Sequence, residues 1–331
     1  MKKLSNILLN KKNILIICLI IVILLLSYQL FILKQANDKL KNDFIAHTDK
    51  FELLSPSVAW LSVSDFIEKQ KHLTVSYQAL KKPLTIILNN NVQGKYGLYF
   101  EDLTTGAWVG INEKDEFTPA SLLKVPTMVG VLKMVEQGNV TLDQELALDA
   151  DDLDLKSGSL GAKGAGYNIT IKDLLIALIK ESDNTAVLTL NRRVLDDETY
   201  VESRLAMGLP MPTNDTAVIS PKQYSNILRS LYLSSYLRRT FSELGLSIML
   251  ETDFNSEIPA GVPNTVKVAH KVGFYKELGI YHDCGIIYVP NKPYILCIMS
   301  KDGTQEEADR IISEVSRMVY NYVTSNSTTT N

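Results

Sequence analysis

Apolar and polar residues follow one another in different rhythms along this chain, and each change of rhythm predicts a change of architecture. From Ile14 to Leu33 the residues are almost all apolar. At about 1.5 Å of rise per helical residue, roughly twenty of them cross the ~30 Å hydrocarbon layer of a bilayer. The pattern predicts a transmembrane anchor over residues 14–33. It is followed by Lys34-Gln-Ala-Asn-Asp-Lys39, without the small-x-small pattern of a cleaved signal peptide. Cys18 lies inside the apolar run rather than behind a small residue at its end, which argues against a lipid-modified cysteine. Lys2, Lys3, Lys11 and Lys12 precede the span, whereas Lys34, Lys39 and Lys41 beyond it are mixed with Asp38 and Asp43. By the positive-inside tendency, residues 1–13 are expected in the cytoplasm and everything after Leu33 outside the cell membrane, in a single-pass arrangement.

Residues 34–83 are polar and lysine-rich, with short apolar pieces such as Val58-Ala-Trp-Leu61. They read as an extracytoplasmic spacer. Tyr-Gly-Leu-Tyr-Phe-Glu from Tyr96, a turn at Thr104-Thr-Gly106 and Ala107-Trp-Val-Gly-Ile-Asn112 read as two strands joined by a hairpin. Three more strands are predicted over Val266 to Phe274, Cys284 to Val289 and Tyr294 to Met299, the last two joined by a Pro290-Asn-Lys-Pro293 turn. Helical periodicity occupies Leu122 to Gln137, Ile171 to Glu181, Thr185 to Val194, Pro221 to Leu233 and Glu306 to Val323. Thr170 is placed to cap the second of these, which sets Leu174, Leu175, Leu178 and Ile179 on one face.

Strands at both ends of this region with helices between them imply an α/β fold of the α+β kind. One lobe is a five-stranded antiparallel sheet flanked by helices and completed by both chain ends; the other is all-helical; a cleft is expected between them. The globular domain is expected over residues 84–324, and residues 325–331 form a polar tail expected to be disordered.

Composition narrows the function. A formal charge of −3 over 331 residues offers no basic field to nucleic acid. Cys18, Cys284 and Cys297 are too few for a disulfide framework, and neither they nor His47, His72, His270 and His282 show metal-ligand spacing. No metal and no organic cofactor is expected, and the histidines read as surface or structural residues. Cys284 and Cys297 fall on hairpin strands centred near Asn291, an alignment that sets Cys284 opposite a residue near Met299. The thiols are then offset by about two positions and expected to be unbridged.

Three short segments carry the candidate chemistry. Ser121-Leu-Leu-Lys124 opens a helical run, so positions i and i+3 share a face and the Lys124 ammonium can reach the Ser121 hydroxyl. A serine needs such a neighbouring base to become a nucleophile. The helix start adds free N–H groups and partial positive charge where an oxyanion would form. Ser182-Asp-Asn184 ends the helix that starts near Thr170, because Ser, Asp and Asn favour caps and turns. His270-Lys-Val-Gly273 lies in a predicted strand, where the glycine permits close backbone approach by a ligand and Lys271 places a cation beside it. Each segment alone reads as an ordinary N-cap serine, helix-to-helix turn or edge lysine.

Taken together and in this order, the segments match the Ser-x-x-Lys, Ser-Asp-Asn and Lys-Thr-Gly set. From about Tyr96 to Tyr322 the chain resembles the class A β-lactamase family and its penicillin-binding relatives, and Ile171 to Ala186 is especially similar to that family's helix and loop. The resemblance implies a serine acyl-enzyme hydrolase acting on a β-lactam or on a cell-wall peptide of the D-Ala-D-Ala type. It implies Ser121 as nucleophile, Lys124 as its proton acceptor and Ser182 as proton relay to the leaving nitrogen. It also implies that Asn184 holds the acyl side-chain amide, that Lys271 attracts the substrate carboxylate and touches Ser182, and that the N–H groups of Ser121 and Phe274 form the oxyanion hole. Gly273 and Phe274 thereby join Asn184 and Lys271 as substrate-binding positions. For Lys124 to serve as base near pH 7, its pKa has to fall about three units, which desolvation and the second cation, Lys271, can supply.

The chain also departs from that family's pattern. Val272 stands where the family has a threonine that helps bind the substrate carboxylate. Between Val194 and Pro221 there is no Glu-x-x-Leu-Asn segment: with Asn214 in the Asn position, Pro210 sits where the glutamate would be. Glu198 and Glu202 lie upstream at the wrong spacing and read as solvated helix residues. Acylation groups without a deacylating base predict slow release of product, and a catalytically weak penicillin-binding or sensor protein is the alternative. Pro126, which lacks an N–H to offer the Leu122 carbonyl, predicts a local kink in the nucleophile helix.

Overall fold

A computed structural model describes residues 21–36, 38, 51–55, 76–90, 92–211 and 217–325. Residues 21–36 are helical, and their apolar side chains from Ile21 to Leu33 are largely exposed. Among the described residues no helix is long and apolar enough to cross a membrane. The first part of the expected anchor, residues 14–20, lies outside the described residues, as do His47, His72, Asn214 and the tail from 326.

The body is built on a five-stranded antiparallel sheet in the order β2-β1-β7-β6-β5. Its strands are β1 (Lys95–Asp102), β2 (Trp108–Ile111), β5 (Val268–Tyr275), β6 (Ile280–Ile287) and β7 (Tyr294–Lys301). β1 runs against β7 along its whole length, from Lys95 opposite Lys301 to Asp102 opposite Tyr294, so the two ends of the domain close the sheet. A two-stranded ribbon, β3 (Glu145–Ala147) with β4 (Asn168–Thr170), lies apart from it. The five expected strands are all present, although β6 begins at Ile280, before the expected Cys284.

One face of the sheet is covered by α1 (Gln78–Asn89) and α8 (Gln305–Ser325). Leu80, Leu84 and Leu88 of the first and Ile311, Ile312, Val315 and Val319 of the second pack on Leu98, Phe100, Leu296 and Ile298. Helix α1 starts inside the segment expected to be spacer. Leu80, Leu84, Ile87 and Leu88 recur at helical spacing, and the intervening Lys81-Lys82-Pro83 hides that stripe in the sequence. Residues before it also belong to the body, since the Ser55 N–H donates to the Tyr232 carbonyl at 2.7 Å and Leu53 and Leu54 are buried.

The other lobe contains α2 (Lys124–Gln137), α3 (Ile171–Lys180), α4 (Asn184–Arg193), α5 (Asp197–Ala206), α6 (Pro221–Tyr232) and α7 (Arg239–Met249). Thr170 caps α3 by accepting from the Asp173 N–H at 3.0 Å, as its position predicts. Helix α2 is buried almost all round, with Val125, Met128, Val129, Val131 and Leu132 inaccessible, which is why it lacks a strong amphipathic pattern.

The hairpin of β6 and β7 corrects the cysteine reading. Cys284 lies directly opposite Cys297 and the two form a disulfide, both cysteines fully buried. The pairing is centred between Pro290 and Asn291, so Asp283 opposes Ile298 and Ile287 opposes Tyr294. Taking the whole Pro290–Pro293 segment as the turn sets the centre one residue too late, which moves the expected partner of Cys284 by two. Such a slip keeps every side chain on its face, so the apolar pattern could not detect it.

Candidate active site

Ser121 occupies a 3₁₀ turn, Ala120–Leu123, that leads directly into α2. Ala120, the residue before it, has φ of +48°, a left-handed conformation that non-glycine residues hold only where their surroundings impose it. The surroundings are visible. His282, buried beneath the turn, donates from Nε2–H to the Thr118 carbonyl at 2.8 Å while its Nδ1 accepts from the Ser300 N–H at 3.0 Å. This second bond fixes the tautomer, and burial lowers the imidazole pKa to about 4, so the ring is neutral.

On the adjoining strand, a Cβ at Gly273 would lie 2.8 Å from the Pro119 carbonyl oxygen and 2.9 Å from Leu122. The glycine is therefore needed for β5 to approach the turn of Ser121.

Pro126 falls in the first turn of α2, where N–H groups have no intrahelical partner. The missing donor costs little there, and the Leu122 carbonyl instead accepts from the buried Tyr224 hydroxyl at 3.3 Å. The helix begins two residues later than its apolar pattern indicates, which is why Pro126 falls in its first turn.

Lys124 is buried and points its ammonium at the Ser182-Asp-Asn184 loop. It donates to Ser182 Oγ at 3.1 Å, to Asn184 Oδ1 at 2.8 Å and to the Ser182 carbonyl. Desolvation brings its pKa down to about 8, against the opposing pull of Asp183 and Asp154. Ser182 has φ of +55°, a second left-handed position in the site. The loop is held by Asp183, which caps α4 through the Ala186 N–H at 2.8 Å and accepts from the Leu160 N–H at 2.8 Å. Asn184 also donates to Asp154 Oδ1 at 3.2 Å, and Ser157 donates to the Ser182 carbonyl at 2.8 Å.

No local pattern in the sequence signals Asp154, Ser157 or the supporting role of His282. They act through partners 30, 25 and 164 residues distant, contacts that exist only in the folded chain.

Lys271 is completely buried, and its ammonium donates to the Val272 carbonyl at 3.0 Å rather than to Ser182. Its pKa is depressed, first by desolvation and then by the charge of Lys124, so the two cations feel one another. Val272 is buried with it. Phe274 is exposed on the rim.

Ser121, Lys124, Asn184 and Phe274 line a common cleft of about 360 Å³, together with Thr127, Asn191, Tyr200, Arg204 and Tyr275. Lys271 and Ser182 are fully buried and are not among the residues that line it. Among the described residues that line the cleft there is no Asp or Glu, and Glu198 and Glu202 are exposed on α5. Nor do the described residues contain a cluster of His, Cys, Asp or Glu able to hold a metal ion.

The model of the β-lactamase enzyme family matches residues 79–323, which covers both lobes and every one of these motifs. The chain belongs to this family. A β-lactamase from Phocaeicola vulgatus is 22% identical over 315 residues, spanning 82% of this chain and 95% of the relative. The β-lactamase VEB-1 of Pseudomonas aeruginosa is 24% identical over 241 residues, 64% of this chain and 80% of its own. Among solved structures, PBP-A superposes with a TM-score of 0.69 at 25% identity, covering 76% of this chain and 98% of PBP-A. A mutant of PBP-A, described as an acyl-enzyme complex with penicillin G, superposes with a TM-score of 0.70 at 24% identity, with the same coverage of the two chains. In this family member the helix, loop and strand that carry the three motifs are thus assembled around one cleft.

Proposed function

We propose that the protein is a serine acyl-enzyme hydrolase that is acylated at Ser121 by β-lactams and releases the product slowly. The observation that carries this reading is the Lys124 ammonium. It is buried in the cleft wall, bonded to Ser182 and Asn184, and has its pKa lowered to about 8. At pH 7 about a tenth of such a lysine is neutral and able to accept a proton. Ser121 Oγ attacks the lactam carbonyl as its proton passes to Lys124; the C–N bond then breaks and a proton reaches the departing nitrogen through Ser182. A covalent ester at Ser121 remains.

Its hydrolysis requires a water activated on the other side of the ester, and the described residues of the cleft offer no carboxylate to do it. Loss of a general base slows such a step by roughly 10² to 10⁴-fold. The penicillin G acyl-enzyme of the PBP-A mutant supports the same first half-reaction on this fold. A cell-wall peptide ending in a free carboxylate would be handled by the same groups and is the alternative natural substrate.

Incubation with penicillin G followed by intact-mass analysis tests the reading. One long-lived adduct per chain, lost in Ser121→Ala, is expected; rapid catalytic turnover with no accumulated adduct would show that an efficient base exists.

We also propose that residues 14–33 anchor the chain and that its body faces the outside of the cell membrane. The apolar run and the Cys284–Cys297 disulfide, a bond favoured in oxidising compartments, support this. Protection of the body from protease in intact cells would argue against it.

A further inference from the structure

The helical side of the cleft contains a charge that the acylation chemistry does not use. Arg204, on α5, lines the cleft beside Tyr200 and Asn191 yet is only 3% exposed. One terminal nitrogen donates to the Pro210 carbonyl, and the guanidinium carbon lies 5.5 Å from the centre of the Tyr200 ring. Its Nε has no hydrogen-bond partner, and among the described residues no carboxylate pairs with it. Its Nε is itself inaccessible, but a guanidinium whose charge no carboxylate balances is costly to bury, and an anion in the cleft facing the remaining N–H groups would offset that cost. Arginine presents its N–H groups as a planar fork suited to a carboxylate.

The place of Arg204 in the fold says which part of a substrate would meet it. The turn bearing Ser121 packs on β5, the strand of Lys271, whereas the helix that follows packs on α5, the helix of Arg204. The two cations therefore belong to different elements, each packed against a different part of the segment that carries Ser121. A substrate whose leaving-side carboxylate is drawn toward Lys271 directs its acyl side chain toward Arg204. Among the described residues, no acidic side chain lines the cleft to oppose a negative group there.

We propose that Arg204 is the anion-recognition residue of the cleft and selects substrates that carry a second carboxylate on the acyl side of the scissile amide. This rests on the reading of Ser121 as the acylated nucleophile and adds the substrate class.

The test compares penicillin G with its α-carboxylated analogue, which differs by one carboxylate on the acyl side chain. Second-order acylation constants are read from intact-mass time courses. The unaltered protein is expected to react with the dianionic compound about 10 to 100-fold faster, the discrimination one charge-assisted fork supplies. In Arg204→Gln the ratio of the two constants is expected to fall to within about twofold of one. A ratio near one in the unaltered protein, or an undiminished ratio in the variant, would overturn the proposal, and the first of these outcomes needs no variant to fold. If neither penicillin labels Ser121, the acyl-enzyme reading fails on its own. Arg204 is then judged by thermal denaturation: phenylmalonate, but not phenylacetate, should raise the melting temperature of the unaltered protein, and equal effects of the two would dismiss the anion site.

Discussion

The Lys124 ammonium lies 2.8 Å from Asn184 Oδ1, a contact between the first residue of one helix and the first residue of another, sixty positions later. It ties the helix that follows Ser121 to the loop of Ser182, and it orients a lysine whose pKa burial has brought to about 8.

Acylation should follow the neutral fraction of that lysine. Because its folded pKa is depressed, the base form grows as pH rises, so the labelling rate of Ser121 should climb about tenfold from pH 7 and level off above about pH 8.5. Rates measured with penicillin G at constant ionic strength test this. A flat profile over that range would remove Lys124 from the role of base, and Lys124→Ala should lower the rate by roughly 10² or more.

Gly273→Ala should act through the turn that carries Ser121. The new methyl would meet the Pro119 carbonyl oxygen at 2.8 Å and Leu122 at 2.9 Å, and both belong to or adjoin the turn of Ser121. Overpacking of this kind commonly costs about 1 to 3 kcal/mol. The melting temperature should fall, and acylation should slow by more than about tenfold as the turn shifts. Unchanged labelling by the substituted protein would mean that β5 can retreat freely.

His282 should make the protein sensitive to mild acid. Its folded pKa of about 4 is below the ordinary value of 6.5, so the unfolded chain takes up the proton first as pH falls. The stability it contributes is complete above about pH 6.5 and is lost toward pH 4, by about 3 kcal/mol for a shift of this size. Glu257, raised to about 7 by burial, acts in the opposite direction, so the comparison has to be with His282→Gln, which keeps a donor for Thr118. The stability advantage of the unaltered protein over this variant should shrink between about pH 6.5 and 4.5 in chemical denaturation, and an advantage independent of pH would contradict a neutral His282.

The Cys284–Cys297 bond should be invisible to reagents until the protein unfolds, because both residues are fully buried in the centre of the sheet. Thiol counting in denaturant should find one free thiol per chain, that of Cys18, and three after reduction. Closing a loop with a sequence separation of 13 residues stabilises by about 3 kcal/mol in the chain-entropy account, so Cys284→Ala with Cys297→Ala should lower the melting temperature by several degrees. Three free thiols before reduction would show the pair to be open.

The amino-acid sequence by itself determined the sheet, the five helices with clear periodicity, and the three motifs, because each depends on residues a few positions apart. Short apolar runs bounded by turn residues mark the strands, which are buried on both faces; Thr170 caps its helix through a contact three residues long; Ser121 and Lys124 are three positions apart on one turn. The tertiary structure decided the rest. Helix α5 carries a weak local pattern and takes its form from packing, whereas α7 has an amphipathic stripe with Ser242, Gly245, Leu246 and Met249 on its buried side. The strand register at Cys284 turned on two residues of loop geometry that leave the apolar pattern unchanged. The inward turn of Lys271 onto Val272, the support of Thr118 by His282 and the placement of Arg204 in the cleft all depend on long-range contacts or burial. Such contacts form only once the hydrophobic core has fixed the elements, and burial, which lowers the pKa of Lys124, is a property of the assembled lobes rather than of any segment.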